Sequence, residues 1–328
     1  CNNWMDGNVV DIHKEMTHVT LAIIGRSVLG YEFKREDDEV GKALLTCMEY
    51  FNRLLMPFGE LIEKIPILPM NKGFQKAKRL LDSIVYNMIS EHRMNLDKGQ
   101  KKGDDLLFTL LQAQDEESGI GKMSDQQLRD EVMTIFLAGH ETTSNALTWT
   151  LYLLSNHPEV EAKLDKELQS VLGESRLIPT VDDVPQLEYN ERILTESMRL
   201  YPPAWALGRQ AINDCNISRY TVRAGSIILM SQFVMHRNPL FFTEPERFYP
   251  DRWTPEFKRQ LPRFSYFPFG GGIRGCIGEP FAWLETILLI STICKQWKMT
   301  VIPGHKVALK PLITLRPKYG MPMLLTRK

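Results

Sequence analysis

One cysteine, one arginine and five glycines share a single short stretch of this chain, Phe267-Pro268-Phe269-Gly270-Gly271-Gly272-Ile273-Arg274-Gly275-Cys276-Ile277-Gly278. Glycines reach backbone angles that other residues avoid and let a chain approach a flat ligand closely. Their exposed N–H groups can also point at a sulfur and stabilise negative charge on it. Cys276 stands at the start of an apolar helix expected from about Glu279 to Trp297, and the unpaired N–H groups of a helix start favour a thiolate. A thiolate is a metal ligand, and no second cysteine or histidine stands at zinc-like spacing nearby. The residues alone leave three readings: a lone axial ligand to haem iron, a phosphate-cradling loop, and an inert buried thiol. The phosphate loop lacks its Lys-Ser/Thr ending, and a dinucleotide site would lack its acidic residue.

Two more constellations stand upstream. Ala138-Gly139-His140-Glu141-Thr142-Thr143 falls in the middle of a long helical pattern. Gly139 is a poor helix-interior residue, and Thr142 can bond back to the carbonyl four residues earlier. A local distortion is therefore expected, with a groove for a small ligand. Glu141 beside Thr142 is a carboxylate–alcohol pair able to relay protons; the same residues would also suit packing on a buried helix. Glu196-Ser197-Met198-Arg199 sets an acid and a base at i, i+3, a spacing that on a surface is worth little. Further arginines stand at Arg209, Arg247, Arg252 and Arg274, and guanidinium forks suit carboxylates bidentately.

The segment Phe269-Gly270-x-Gly272-x-Arg274-x-Cys276-x-Gly278, ten positions with six fixed residues, resembles the haem-binding signature of the cytochrome P-450 (haem-thiolate monooxygenase) family. Three upstream motifs follow that family's order, and the resemblance runs from about residue 8 to the end. It implies haem b with Cys276 as the axial iron ligand, Gly270 in the haem-binding loop, and Phe269 packed over the thiolate. Ala138–Thr143 is similar to the family's oxygen-activation motif. That likeness implies Thr142 and Glu141 as the proton-delivering pair, with Ala138 against the haem face. Glu196–Arg199, followed by Leu200-Tyr201-Pro202-Pro203, resembles the K helix. Phe248-Tyr249-Pro250-Asp251-Arg252-Trp253 is similar to the Pro-Glu-Arg-Phe motif, with Asp and Trp as variants. Glu196, Arg199 and Arg252 are then implied as a structural network around the haem loop. A literal Pro245-Glu246-Arg247-Phe248 offers Arg247 instead; Arg252 is preferred on its distance to the cysteine loop. Arg209 and Arg274 match arginines that pair with haem propionates. Ala204, Ala206 and Leu207, with Ile313 in the tail, resemble apolar residues lining a substrate pocket.

These residues need elements to hold them. Apolar residues at helical spacing run from Asp11 to Leu29, stopping at Gly30, and again over Asp37–Leu55 and Phe74–Leu96. A Pro-rich linker (Ile65 to Pro69), a charged loop (Asp97 to Asp104) and a short helix (Asp105 to Gln114) follow this pattern. Ser124 and Gln127 read as a capping box opening the long helix, and further helices are expected over Pro158–Leu172 and Pro185–Tyr201. Beyond Tyr201 come short β-like runs, Arg219–Val222 and Ser226–Met230. The tail from Lys306 to Arg327 reads as a hairpin turning at Pro317-Lys318-Tyr319-Gly320. The expectation is a mainly α chain with minor β, a cytochrome P-450 fold lacking its amino-terminal part. Residues 1–328 form one incomplete domain, helical to about 201 and mixed from about 202.

The chain has 328 residues, 43% of them hydrophobic, enough to bury a large core. Forty basic and forty acidic residues cancel, so nothing points to nucleic acid. Five scattered cysteines make no disulfide framework and suit a reducing interior. No signal peptide opens the chain. It begins at Cys1 rather than Met and is expected to be a fragment, with an upstream anchor left open. The family's amino-terminal part, which supplies a Trp and an Arg for a propionate, has no counterpart; Trp4 is not placed as that tryptophan. The charge-poor run Val132–Pro158 is long enough to span a bilayer, but its polar centre makes it a buried helix of a soluble core.

The resemblance implies a monooxygenase that inserts oxygen from O2 into a hydrophobic substrate. Electrons must come from a separate ferredoxin or flavoprotein reductase, since no flavin or iron–sulfur motif lies in the chain. Arg263, Arg274, Lys295 and Lys298 are candidates for the docking face. Likeness to the fatty-acid-hydroxylase-like branch suggests long-chain lipids or terpenoids, and an intracellular place, cytoplasmic or membrane-associated. Two rivals stand beside this reading: a peroxide-dependent or isomerase haem-thiolate enzyme, and a truncated haem-binding protein without turnover.

Overall fold

The computed structural model describes residues 4–33, 38–54, 59, 65, 68–98, 105–115 and 121–328. They gather into two compact units, one formed by Cys1–His13 with Asn145–Lys328, the other by Lys14–Ser144.

The second of these is helical. It holds most of α1 (Ile12–Val28), then α2 (Asp38–Leu54), α3 (Pro69–Asp97) and α4 (Leu106–Gln112). A two-residue ladder of β2 (Gln114–Asp115) and β3 (Gly121–Lys122) follows, and then the first part of α5 (Asp125–Asn156). Each start has a local cause. Pro69 opens α3, where its fixed φ suits the first turn and no N–H is missed. The helix therefore begins five residues before Phe74. Asp105 caps α4, accepting the Phe108 N–H at 2.8 Å. At the head of α5 the Ser124 N–H donates to Gln127 Oε1 at 2.9 Å, and the Gln127 N–H to Ser124 Oγ at 3.3 Å. Ring pairs fill the core, Phe33 on Phe136 at 5.2 Å and Tyr50 on Phe74 at 4.0 Å. Of the linker and the charged loop expected from the sequence, residues 66–67 and 99–104 lie outside the described residues.

The other unit carries the helices α6 (Pro158–Leu172), α7 (Glu188–Leu200), α8 (Gln232–Met235), α9 (Pro255–Gln260) and α10 (Glu279–Gln296). A 3-10 turn over Val181–Gln186 precedes α7, so the single helix expected from Pro185 is broken at Leu187. Asn190 of α7 donates to the Ile287 carbonyl and to Ser291 Oγ, at 3.0 and 2.8 Å, which fastens α7 to α10. The β structure is small and antiparallel. Strand β1 (Val9–Asp11) pairs with β11 (Pro322–Arg327), which pairs with β8 (Trp297–Val301). Two further ladders join β4 (Leu207–Gln210) to β7 (Ile227–Met230), and β5 (Cys215–Ile217) to β6 (Tyr220–Val222).

The tail departs from expectation. Its hairpin is β9 (Leu309–Pro311) on β10 (Leu315–Pro317), turning over residues 312–314. The stretch 318–321 is a crossover instead, because the partners of β11 are β1 and β8 and the Met321 carbonyl already receives the Ile12 N–H. Among the described residues no helix is long and apolar enough to cross a membrane.

Candidate active site

Glu196 and Arg199 lie one turn apart on α7, both with no exposed side-chain area. A charge buried this deeply is held only if donors surround it. Glu196 receives five N–H groups: Nε and Nη2 of Arg199 at 2.8 and 2.9 Å, Nε of Arg252 at 2.9 Å, Nε1 of Trp253 at 2.8 Å and the Tyr249 backbone at 3.0 Å. Arg199 turns its Nη1 to the carbonyls of His236 and Pro245, at 2.9 and 2.6 Å. The guanidinium that reaches Glu196 is that of Arg252. The Arg247 side chain turns outward to Glu244 at 2.9 Å, although its carbonyl accepts from Arg199. Trp253, read from the sequence as a mere variant, is one of the five donors; its ring N–H was the available signal.

The next link was not read from the sequence at all. His236, fully buried at the end of α8, accepts the Phe267 backbone N–H on Nε2 at 2.9 Å. Burial pushes its pKa down to about 3, and the nearby Arg199 and Arg237 guanidiniums push the same way, so the ring is neutral. Phe267 opens the cysteine loop. Its carbonyl accepts the Gly270 N–H at 2.9 Å, and the Phe269 carbonyl accepts the Cys276 N–H at 2.9 Å. Gly270 and Gly272 both take positive φ, +73° and +71°, which only glycine adopts without strain. A Cβ on Gly270 would also sit 3.3 Å from Leu207 Cδ1, so β4 lies close against the loop. Helix α10 begins at Glu279 behind the Gly278 N-cap, leaving Cys276 in the turn ahead of it.

Cys276 is exposed, and so are the side chains flanking it: Ile273 at 101% and Ile277 at 91%. Phe269 is half-buried and turns its ring to Trp283 at 5.8 Å. Arg209 and Arg274 are exposed and form no ion pair among the described residues; Arg209 only bonds the Gly208 carbonyl beside it, at 2.8 Å. Lys295, considered for a docking face, reaches back to Gln169 and the Gly173 carbonyl at the end of α6.

The apolar candidates fall into two segments that touch. The Trp205 indole N–H donates to the Leu312 carbonyl at 2.7 Å, and the Leu315 N–H to the Pro203 carbonyl at 2.9 Å. These bonds hold Ala204, Ala206 and Leu207 next to the turn that bears Ile313, itself exposed. Asn145 of α5 steadies the same turn through Thr314 Oγ1 at 3.2 Å.

In the helical unit Ala138 is exposed, Thr142 half-buried and Glu141 buried. Thr142 Oγ1 donates to the Ala138 carbonyl at 2.8 Å. Helix α5 runs unbroken here, so the expected distortion is absent. Gly139 answers to a neighbour instead: a Cβ there would fall 2.6 Å from Ile24 Cδ1 of α1, and the next turn of that contact is the Thr20 hydroxyl donating to the His140 carbonyl at 2.9 Å.

Comparison with known proteins decides the family. The cytochrome P450 family model matches residues 4–321. The chain belongs to the cytochrome P450 family. It is 37% identical to cyclooctatin synthase of Streptomyces melanosporofaciens, over 95% of this chain and 67% of that protein. To cyclooctat-9-en-7-ol 5-monooxygenase of the same organism it is 35% identical, over 92% of this chain and 64% of the relative. It superposes on the crystal structure of the cytochrome P450DA haem domain with a TM-score of 0.87 and 31% identity, covering 99% of this chain and 69% of that one. The chain thus spans about two thirds of the length of the relatives it matches. Cytochrome P450 monooxygenases carry haem with a cysteine thiolate on the iron. The residues present fit that group. The exposed Cys276 thiol is framed by exposed isoleucines that an apolar macrocycle would cover, and the Arg209 and Arg274 guanidiniums lack carboxylate partners among the described residues. No cluster of three His, Cys, Asp or Glu among those residues would compete as a metal site.

Proposed function

We propose that this chain holds haem b through the Cys276 thiolate and inserts one oxygen atom of O2 into a C–H bond of a hydrophobic, terpenoid-like substrate. The observation that carries the reading is the exposed Cys276 thiol on a backbone loop tied, through His236, to the Glu196 cluster. Haem with a thiolate ligand, when bound, supplies the cleavage of O2 and the oxidation of the C–H bond. Arg209 and Arg274 would bind its propionates as guanidinium forks, Phe269 and Gly270 belong to the loop that receives it, and Ala138 is the α5 residue that the family's motif would assign to its face. Glu196, Arg199 and Arg252 do no chemistry; they hold the loop's foundation.

Glu141 and Thr142 are the proton-handling pair. The Thr142 hydroxyl spends its hydrogen on the Ala138 carbonyl, so its oxygen is an acceptor until it rotates away. Rotation makes Oγ1 a donor, and the buried Glu141 carboxyl next in sequence replaces the proton. Retention of both residues disfavours a peroxide-dependent or isomerase enzyme. Ala204, Leu207 and Ile313 would present an apolar wall to the substrate. The names of the two relatives, built on cyclooctatin and cyclooctat-9-en-7-ol, favour a cyclic, largely hydrocarbon molecule over a fatty acid. Electrons are delivered by a separate ferredoxin or flavoprotein reductase. Residues 1–328 are read as one domain of this kind, helical to about 201 and mixed beyond.

The test is the difference spectrum of the reduced chain with CO. A thiolate-type Soret band that disappears in Cys276→Ser is expected; a chain that takes up no haem sinks the reading. Binding titrations with cyclic terpenes and with fatty acids then separate the two substrate classes.

A further inference from the structure

His236 stands where two systems meet. On one side the Arg199 guanidinium, already committed to Glu196, donates to the His236 carbonyl at 2.9 Å. On the other the ring accepts the Phe267 N–H at 2.9 Å, the first backbone bond of the cysteine loop. Ring contacts with Tyr266 at 4.9 Å and Phe267 at 5.4 Å fix the imidazole plane. Because Nε2 accepts, the proton sits on Nδ1, which lies on the side of the Met198 backbone of α7. The ring thus stands between α7 and the cysteine loop, and its other nitrogen is the one that meets the loop. We propose that His236 is a positioning residue for the iron ligand: as acceptor for the Phe267 N–H it fixes the peptide plane from which the Phe267–Gly270 turn and the Phe269–Cys276 bond are built. The same residue, through its own carbonyl, keys that plane to the Glu196 cluster.

The inference rests on Cys276 being the haem ligand, and it is tested by a readout that does not require turnover. Amide hydrogen exchange over residues 267–276 is compared in the haem-loaded chain, in His236→Leu and in His236→Gln. Loss of that hydrogen bond speeds exchange in the Leu variant by about tenfold, the equivalent of about 1.4 kcal/mol. The Gln variant, which keeps a carbonyl acceptor, stays within about threefold of the parent. Haem transfer to excess apomyoglobin follows the same order, while amides at the centre of α10 are unchanged. A Leu variant with parental exchange, or a Gln variant as loose as Leu, overturns the proposal. Should the Leu variant fail to fold, 15N NMR of the unmodified ferrous-CO protein decides. An unprotonated Nε2 coupled through the hydrogen bond to the Phe267 amide nitrogen is expected, and a proton on Nε2 overturns it. Absence of a thiolate-type band in the parent would instead sink the ligand assignment and leave the exchange contrast readable.

Discussion

Two buried glutamates on the two helices beside the cysteine loop meet opposite fates. Glu196 on α7 has five N–H donors around it and stands at the centre of a cluster. Glu285 on α10 is almost as buried, yet its Oε1 has no partner among the described residues, and burial alone pushes its pKa up to about 8. The lesson is that burial does not set the charge state of an acid; the donors within reach do. One glutamate organises four segments of chain, and the other keeps its proton through neutral pH.

The sharpest way to break the comparison is to discharge the paired acid. Glu196→Gln leaves the Arg199 and Arg252 guanidiniums buried beside a neutral amide. Removing one member of a buried ion cluster costs about 3–5 kcal/mol, so thermal unfolding should drop by about 10 °C or the chain should become insoluble. A shift of a degree or two would mean that the cluster is ornament. Trp253→Phe is the milder probe, because it removes one donor and keeps the ring. A hydrogen bond to a charged group contributes about 1.5–3 kcal/mol, and denaturant unfolding should register a loss in that range.

How much of this was legible from residue types alone varies with the kind of signal. Helix α6 runs from Pro158 to Leu172, as local chemistry foretells, because Pro opens it and Gly173 closes it. The long helix starts where Ser124 and Gln127 announce it. The tail was misread because a period of two says that a strand exists but not which strand it pairs with, and the partners of β11 lie about 26 and about 313 residues upstream. Gly139 was read as a helix defect, whereas the glycine makes room for Ile24 on a separate helix. His236 was illegible, since an acceptor for a backbone N–H 31 residues away leaves no spacing to recognise. The cysteine motif itself was readable because a ligand and its loop are contiguous in sequence.

The unpaired acid is probed from the other side, by making it apolar. An unfolded glutamate releases its proton near pH 4.5, whereas folded Glu285 keeps it until about pH 8. Between those values the folded chain binds more protons than the unfolded one, so stability falls as pH rises through the window. Below pH 4.5 both states are protonated and the penalty vanishes. Glu285→Met should therefore gain about 1–2 kcal/mol at pH 8, with little change at pH 4, measured by urea unfolding at both pH values. An equal gain at both would show that packing, not the proton, separates the two glutamates. His236 shapes the opposite limb: it is neutral when folded down to about pH 3, so stability falls as pH drops from about 6.5.

The smallest effect is the most discriminating, because it separates two arginines that the sequence leaves side by side. Arg247 and Arg252 both stand in a stretch resembling the same motif, and both touch the Glu196 cluster. They do so by different atoms. Arg252 brings its guanidinium, buried, to Glu196. Arg247 brings its carbonyl, which accepts from Arg199 at 3.0 Å and from Arg252 at 3.3 Å, while its side chain forms an exposed pair with Glu244 and lies over the Tyr249 ring at 4.9 Å. A carbonyl survives any substitution, and an exposed ion pair is worth about 0–1 kcal/mol. Arg247→Ala should therefore change stability by no more than about 0.5 kcal/mol, and Arg252→Ala by several times that. Similar losses from the two would show that the cluster reads the side chain at 247 after all, and the distinction between organised and solvated charge would fail at its nearest neighbour.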